Sequence, residues 1–329
     1  MPMIRGSART ESWELKVPFV ISRSSRNHAT VVYLEISDGT FTGRAECQPN
    51  TRYGETSESV VSELNALFPC KHADLIKALA FLKSRAAANA LDCALLDYEA
   101  KRSGLSVADK LAVQPAEFVQ SVYTVSVGTP DDMAKQAREL FEGGIRHLKL
   151  KLAGNGDGER VRAVRAAASG AHIVVDANEA WDEALYTQYM PVMAECDVAL
   201  VEQPFPAGRD DILEKLPRYV PVCADESCHT AADVVSLRNL YDAVNIKLDK
   251  TGGLTEGVAL LRAAREANMK VMVGCMLGTS LAIAPAYYLA SFADYVDLDG
   301  PALLKKDRQS GLHISTDVKI YCPERVLWG

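Results

Sequence analysis

The sequence lacks a Cys-x-x-Cys pair, a basic cluster, and any apolar run of the roughly 18 to 20 residues that a membrane-crossing helix requires. Each absence removes a class of function. Eight scattered cysteines and no secretory leader argue against a disulfide framework, so a reduced, cytoplasmic setting is expected. With a formal charge of −7 and no stripe of cations or aromatics, nucleic acid and acidic membrane surfaces are poor partners, and a small molecule is the better one. The stretch Cys223-Ala-Asp-Glu-Ser-Cys228-His229 matches no standard zinc spacing, and thiols in apolar runs are commonly just buried. No Gly-x-Gly-x-x-Gly fingerprint for a dinucleotide is present. Gly154-Asn-Gly-Asp-Gly158 has the wrong spacing for a phosphate loop and reads as a flexible connection.

What is present is a chain of 329 residues, 48% of them hydrophobic, long enough to bury a large core. Residues 1–115 predict a small α+β domain. Alternating strands are expected near 12–20, 30–37 and 40–46 with a turn at Asp38-Gly39, followed by helices near 55–68, 73–82 and 85–102. From about 120 the pattern changes to short β-rich runs alternating with helix-length segments. The runs fall at 120–127, 146–152, 172–177, 197–202, 221–225, 243–248, 270–275 and 294–299, the number that closes a (β/α)8-type barrel of the α/β class. Helices at 130–142 and 254–267 are the clearest of those between them. The expected division is a capping domain at 1–115, a barrel at 116–300 and a segment at 301–329 that packs back on the cap.

The chemistry lies at one end of these strands. Asp176, Glu202 and Asp225 each follow an apolar run, with Lys151 before the series and Lys247 after it, at intervals of 25, 26, 23 and 22 residues. One strand, loop and helix per interval brings all five to one rim. Three carboxylates in matching phase repel one another unless a cation binds, and all-oxygen ligands favour Mg²⁺. Glu226 is an alternative to Asp225, which better continues the strand phase. Lys149 and Lys151 are two apart on one strand and share a face. Lys247 lies four units after Lys151, across an eight-strand ring. A free lysine, with a pKa of about 10.4, is neutral in only about 1 in 10³ molecules at pH 7. A neighbouring ammonium, a divalent cation and desolvation all favour the neutral form, so either Lys151 or Lys247 can serve as a general base. The set describes proton abstraction from carbon beside a carboxylate, the enolate being stabilised by the cation. Bases on both faces make it racemisation or epimerisation. Lys250 and Asp249, just beyond the second base, read either as its support or as scaffold.

These residues resemble the enolase superfamily, muconate lactonising subgroup, and within it the dipeptide epimerases. The resemblance rests on Lys149-Leu-Lys151, Asp176-Ala-Asn178, Val201-Glu202-Gln-Pro204, Ala224-Asp225-Glu226-Ser227, Asn245-Ile-Lys247-Leu-Asp-Lys-Thr-Gly-Gly253 and Asp297-Leu-Asp299-Gly300, and covers essentially the whole chain. It implies one Mg²⁺ per subunit on Asp176, Glu202 and Asp225, and lysine bases at 151 and 247. The implied substrate is a dipeptide such as L-Ala-D/L-Glu, of the kind met in murein peptide metabolism. Asp297 and Asp299 would receive its ammonium, and Arg23 would meet its acidic side chain, with Arg26 or Arg52 as alternatives. Lys149, Thr124, Cys275 and Leu277 would complete the substrate site. The alternatives within the subgroup are an N-acylamino acid racemase, an o-succinylbenzoate synthase or a cycloisomerase. Barrels of this kind commonly form homo-oligomers.

Overall fold

The computed structural model describes residues 3–22 and 24–329. Its first layer is an antiparallel sheet in the order β3-β2-β1-β4, built from β1 (Met3–Ile21), β2 (Ser24–Ser37), β3 (Thr42–Cys47) and the short β4 (Cys70–Lys71). Asp38 closes the β2–β3 turn by accepting from the amides of Thr40 and Phe41, both at 2.8 Å, while Gly39 takes φ +94°. β1 begins about nine residues earlier than alternation predicts. Its inward face there is Ile4, Gly6 and Ala8, and the two small residues weaken the period-2 signal, with Phe68 filling the space over Gly6. The β1–β2 register shifts between Glu14 and Phe19, which turns the tip of the hairpin toward the barrel.

Helices α1 (Ser57–Asn65), α2 (His72–Ala78), α3 (Arg85–Ser103) and α4 (Val107–Leu111) follow. α3 is rich in alanine and buried on nearly all sides, so it can lie close to both the cap sheet and the barrel. Its Asn89 donates to Asp249 at 2.8 Å and its Asp92 accepts from Thr255 at 2.6 Å. Gly253 sits against this helix at φ +128°, and a Cβ there would come within 2.5 Å of Asp92. Only glycine fits.

After β5 (Phe118–Gln120) come eight parallel strands that pair in chain order: β6 (Tyr123–Val125), β7 (His147–Lys151), β8 (His172–Asp176), β9 (Val198–Glu202), β10 (Val222–Ala224), β11 (Ala243–Ile246), β12 (Lys270–Gly274) and β13 (Tyr295–Asp297). The ring nearly closes where the Val122 amide donates to Val296 O at 2.9 Å. The outer elements are α5 (Pro130–Glu142), α6 (Asp157–Ala167), α7 (Glu183–Glu195), the short α8 (Val234–Leu237) and α9 (Leu248–Thr251), then α10 (Leu254–Glu266) and α11 (Ser280–Ala290). One unit departs from the expected strand, loop and helix. Between β9 and β10 there is only a 3₁₀ turn at Asp210–Glu214, and Pro204, Pro206, Gly208, Pro217 and Pro221 confine the uninterrupted run there to residues 209–216. The interval of 23 residues is kept by loop instead.

The last strand, β14 (Lys319–Tyr321), pairs with β5. Beyond it the chain reaches α3, where Trp328 donates to Cys93 O at 3.1 Å and the Gly329 amide to Asp97 at 2.8 Å.

Candidate active site

The parallel register carries Asp176, Glu202 and Asp225 to one place. Asp176 is paired directly with Glu202, and Asp225 follows the last residue of β10. All three are at most 3% exposed, and one oxygen of each lies within 4.8 Å of the others. Glu226 is not in this group. Tight turns follow two of the strands: Asn178, Glu179 and Gln203 have φ of 45°, 66° and 37°, a region that non-glycine residues seldom adopt. Gln203 bridges one turn to the next, its Oε1 accepting from the amides of Asp225 at 2.8 Å and Ser227 at 3.2 Å.

The lysines surround this trio. Lys151 Nζ is 2.6 Å from Asp176, and Lys247 Nζ is 2.5 Å from Asp225 and 3.8 Å from Glu202. Lys250 pairs with the other Asp225 oxygen at 2.6 Å and donates to the carbonyls of Cys228 and Asn245. Asn245 donates to Glu202 at 2.7 Å. Lys149 departs from the expectation that it shares the substrate space with Lys151. It is fully buried, outside the cavity wall, between Glu202 at 2.6 Å, Asp297 at 2.7 Å and Asp176 at 3.3 Å. The cause is register, since Lys149 is level with Val174, one layer beneath Asp176.

Burial alone would raise every carboxylate here and lower every lysine. Lys151 and Lys149 outweigh burial at Asp176 and hold it below the ordinary carboxylate range. Lys247 and Lys250 do the same for Asp225. Glu202 goes the other way, pushed up to about 7 by burial and by Asp176. For Lys247, burial is outweighed by Asp225 and Glu202, so it stays above the usual lysine range, opposite to what a general base needs. Three buried carboxylate oxygens so close together, one of them resisting ionisation, fit a hard divalent cation, and added positive charge would also release the lysine.

Beside the trio is a cavity of about 470 Å³. Lys151, the last residue of the second barrel strand, and Lys247, directly after the sixth, line it. Thr124, Cys275, Leu277, Asp297 and Asp299 are also in its wall. Asp299 accepts from the Thr124 amide at 2.7 Å, and burial together with Asp297 pushes it up to about 7. Burial also raises the Cys275 thiol, which fits a packed wall residue. The cap supplies the opposite side with Phe19, Ile21 and Arg26 from the hairpin and Gln48 to Tyr53 from the loop after β3. Arg52 is in that wall but pairs with Glu179 at 2.6 Å. Arg23 lies outside the described residues. Sequence reasoning did not single out Asn245, Phe19, Ile21, Gln48 or Tyr53. For Asn245 the signal was available, two residues before Lys247 on one strand and therefore on the same face.

Residues 3–111 match the mandelate racemase / muconate lactonizing enzyme N-terminal domain, and residues 132–309 match the enolase C-terminal domain-like family. The chain belongs to the enolase superfamily. Among its relatives there, the L-Ala-D/L-Glu epimerase of Escherichia coli (strain K12) is 42% identical, with 93% of this chain and 96% of that protein covered. The N-acetyl-D-glutamate racemase of a Pseudoalteromonas species is 38% identical, over 91% and 95%. An enolase family member from Agrobacterium tumefaciens with homology to dipeptide epimerases, solved with sodium and L-Ala-L-Glu, superposes with a TM-score of 0.93 at 43% identity, over 99% of this chain and 100% of that one. The superfamily architecture of a cap over a parallel near-barrel is the one found here, and no helix among the described residues is long and apolar enough to cross a membrane.

Proposed function

We propose that the protein epimerises the C-terminal residue of dipeptides such as L-Ala-D/L-Glu by moving one proton between the two faces of its α-carbon. The observation that carries this reading is the pair Lys151 and Lys247, at the ends of strands four apart, lining one cavity whose wall also holds Asp297 and Asp299. One lysine removes the α-proton and the other returns a proton to the opposite face. Asp176, Glu202 and Asp225 would hold Mg²⁺, which when bound stabilises the negative charge that develops on the substrate carboxylate. Asp297 and Asp299 orient the dipeptide by its ammonium, with Asp297 already partly neutralised by Lys149. Arg26 and Arg23 are the cations proposed for the acidic side chain, since Arg52 is engaged by Glu179. The cap at 1–115, the barrel at 116–300 and the closing segment at 301–329 are the proposed working parts, and eight free cysteines accord with a reducing cytoplasm.

The 38% identical N-acetyl-D-glutamate racemase supports a second reading, N-acylated glutamate as substrate, which brings no ammonium to Asp297 and Asp299. Both are tested in D₂O with Mg²⁺. The dipeptide reading expects α-deuterium in L-Ala-L-Glu and L-Ala-D-Glu and little in N-acetylglutamate; label in N-acetylglutamate alone would reverse the assignment.

A further inference from the structure

The loop between β12 and α11, residues 275–279, serves two purposes at its two ends. Cys275, Met276 and Leu277 form part of the cavity wall. Thr279, at the other end, is gripped by two distant parts of the chain. Its amide donates to Glu46 Oε1 at 2.7 Å and its hydroxyl to Glu46 Oε2 at 2.5 Å. Arg308 Nε donates to that hydroxyl oxygen at 2.7 Å, while its Nη2 reaches Glu46 at 2.5 Å and Glu11 at 2.8 Å. The guanidinium also lies 5.1 Å from the ring centres of both Trp13 and Tyr33. Glu46, on β3, is fully buried, so its negative charge is sustained only beside a cation and hydrogen-bond donors.

The clamp extends to the neighbouring strand end. A Cβ on Gly278 would lie 3.0 Å from Glu46 Oε1, and one on Gly300 would lie 3.2 Å from Gly278 O and 3.3 Å from Met276 O. The turn that carries Asp299 therefore rests backbone to backbone on the loop that Glu46 holds. We propose that Arg308 is a positioning residue: by joining Glu46, Glu11 and Thr279 it sets the cap against the barrel and fixes both the 275–279 loop and the Asp299 turn around the substrate. This rests on the dipeptide reading for its substrate but not for its geometry. A planar guanidinium is required, because three separate acceptors must be met at once.

The test compares Arg308→Met, Arg308→Lys and the double variant Glu46→Gln/Arg308→Met. Arg308→Met leaves the buried Glu46 carboxylate without its cation and melts lowest, and the double variant recovers melting temperature because neither of those two charges remains. If the role is positioning, the recovered protein still has a KM for L-Ala-L-Glu about tenfold above wild type with kcat changed less, and Arg308→Lys falls between. A stable double variant with wild-type KM and kcat overturns the proposal. Deuterium uptake at amides 276–281, read by mass spectrometry without substrate, should be about tenfold faster in the double variant than in wild type. Unchanged uptake overturns the clamp even if wild type exchanges no dipeptide, the outcome that would instead remove the functional reading.

Discussion

Two layers of the barrel interior, one pleat apart, have opposite chemistry. The lower, Lys149 apart, is an apolar plug of Val122, Val174, Leu200, Cys223, Ala243 and Met272, each at most 5% exposed. Two residues further along the same strands stand Thr124, Asp176, Glu202 and Asp225, then Asn245 with Lys247 beyond it, all equally hidden from solvent. Both layers face inward because side chains on a strand alternate with period two. The difference teaches that burial does not separate structure from function here. The lower layer gains from removing hydrocarbon from water, whereas the upper one pays desolvation and recovers it only through the ion pairs that Lys149, Lys151, Lys247 and Lys250 supply.

The strongest way to sharpen this contrast is to remove the upper layer's cations one at a time. Lys151→Ala and Lys247→Ala should each lower epimerisation by about 10³-fold or more, at the upper end of what one acid–base group contributes. Because the bases are opposed, each variant should still exchange the α-proton of one epimer in D₂O, and the two variants should retain different epimers. Loss of exchange from the same epimer in both would mean that they do not work on opposite faces.

A change in the lower layer should do the reverse. Leu200→Ala empties space in the plug and should cost about 2–5 kcal/mol of stability, seen in denaturant unfolding, while turnover per folded molecule stays close to wild type. Equal stability with damaged turnover would mean that the plug tunes the chemistry above it.

The upper layer was readable in advance because a carboxylate or lysine after an apolar run is conspicuous, and a regular interval repeats it around the ring. That regularity hid two things. The loss of a helix between β9 and β10 did not alter the spacing, so only the prolines betrayed it. Lys149 and Lys151 share a face, yet period two says nothing about depth, and strand stagger leaves one sealed among carboxylates and the other in the cavity. The cap was less legible still. Its contribution to the wall comes from a register shift and a loop, and Glu46 meets Arg308 across 262 residues with no motif to connect them.

The smallest expected effect bears on a residue that belongs to both worlds, a carboxylate buried as deeply as the plug and proposed to meet a substrate cation. Burial and Asp297 push Asp299 up to about 7, so it gains its proton as pH falls through neutrality, not near pH 4 as an exposed aspartate would. A protonated Asp299 cannot pair with an ammonium. For dipeptides, kcat/KM should therefore fall about tenfold per pH unit below about 7, because that ratio reports the free enzyme, while kcat falls less since bound ammonium keeps the carboxylate ionised. Asp299→Asn should lower kcat/KM at pH 8 and flatten this limb, being unable to titrate. A limb of unchanged steepness in Asp299→Asn would assign it to another group and leave Asp299 as a support for the Thr124 amide.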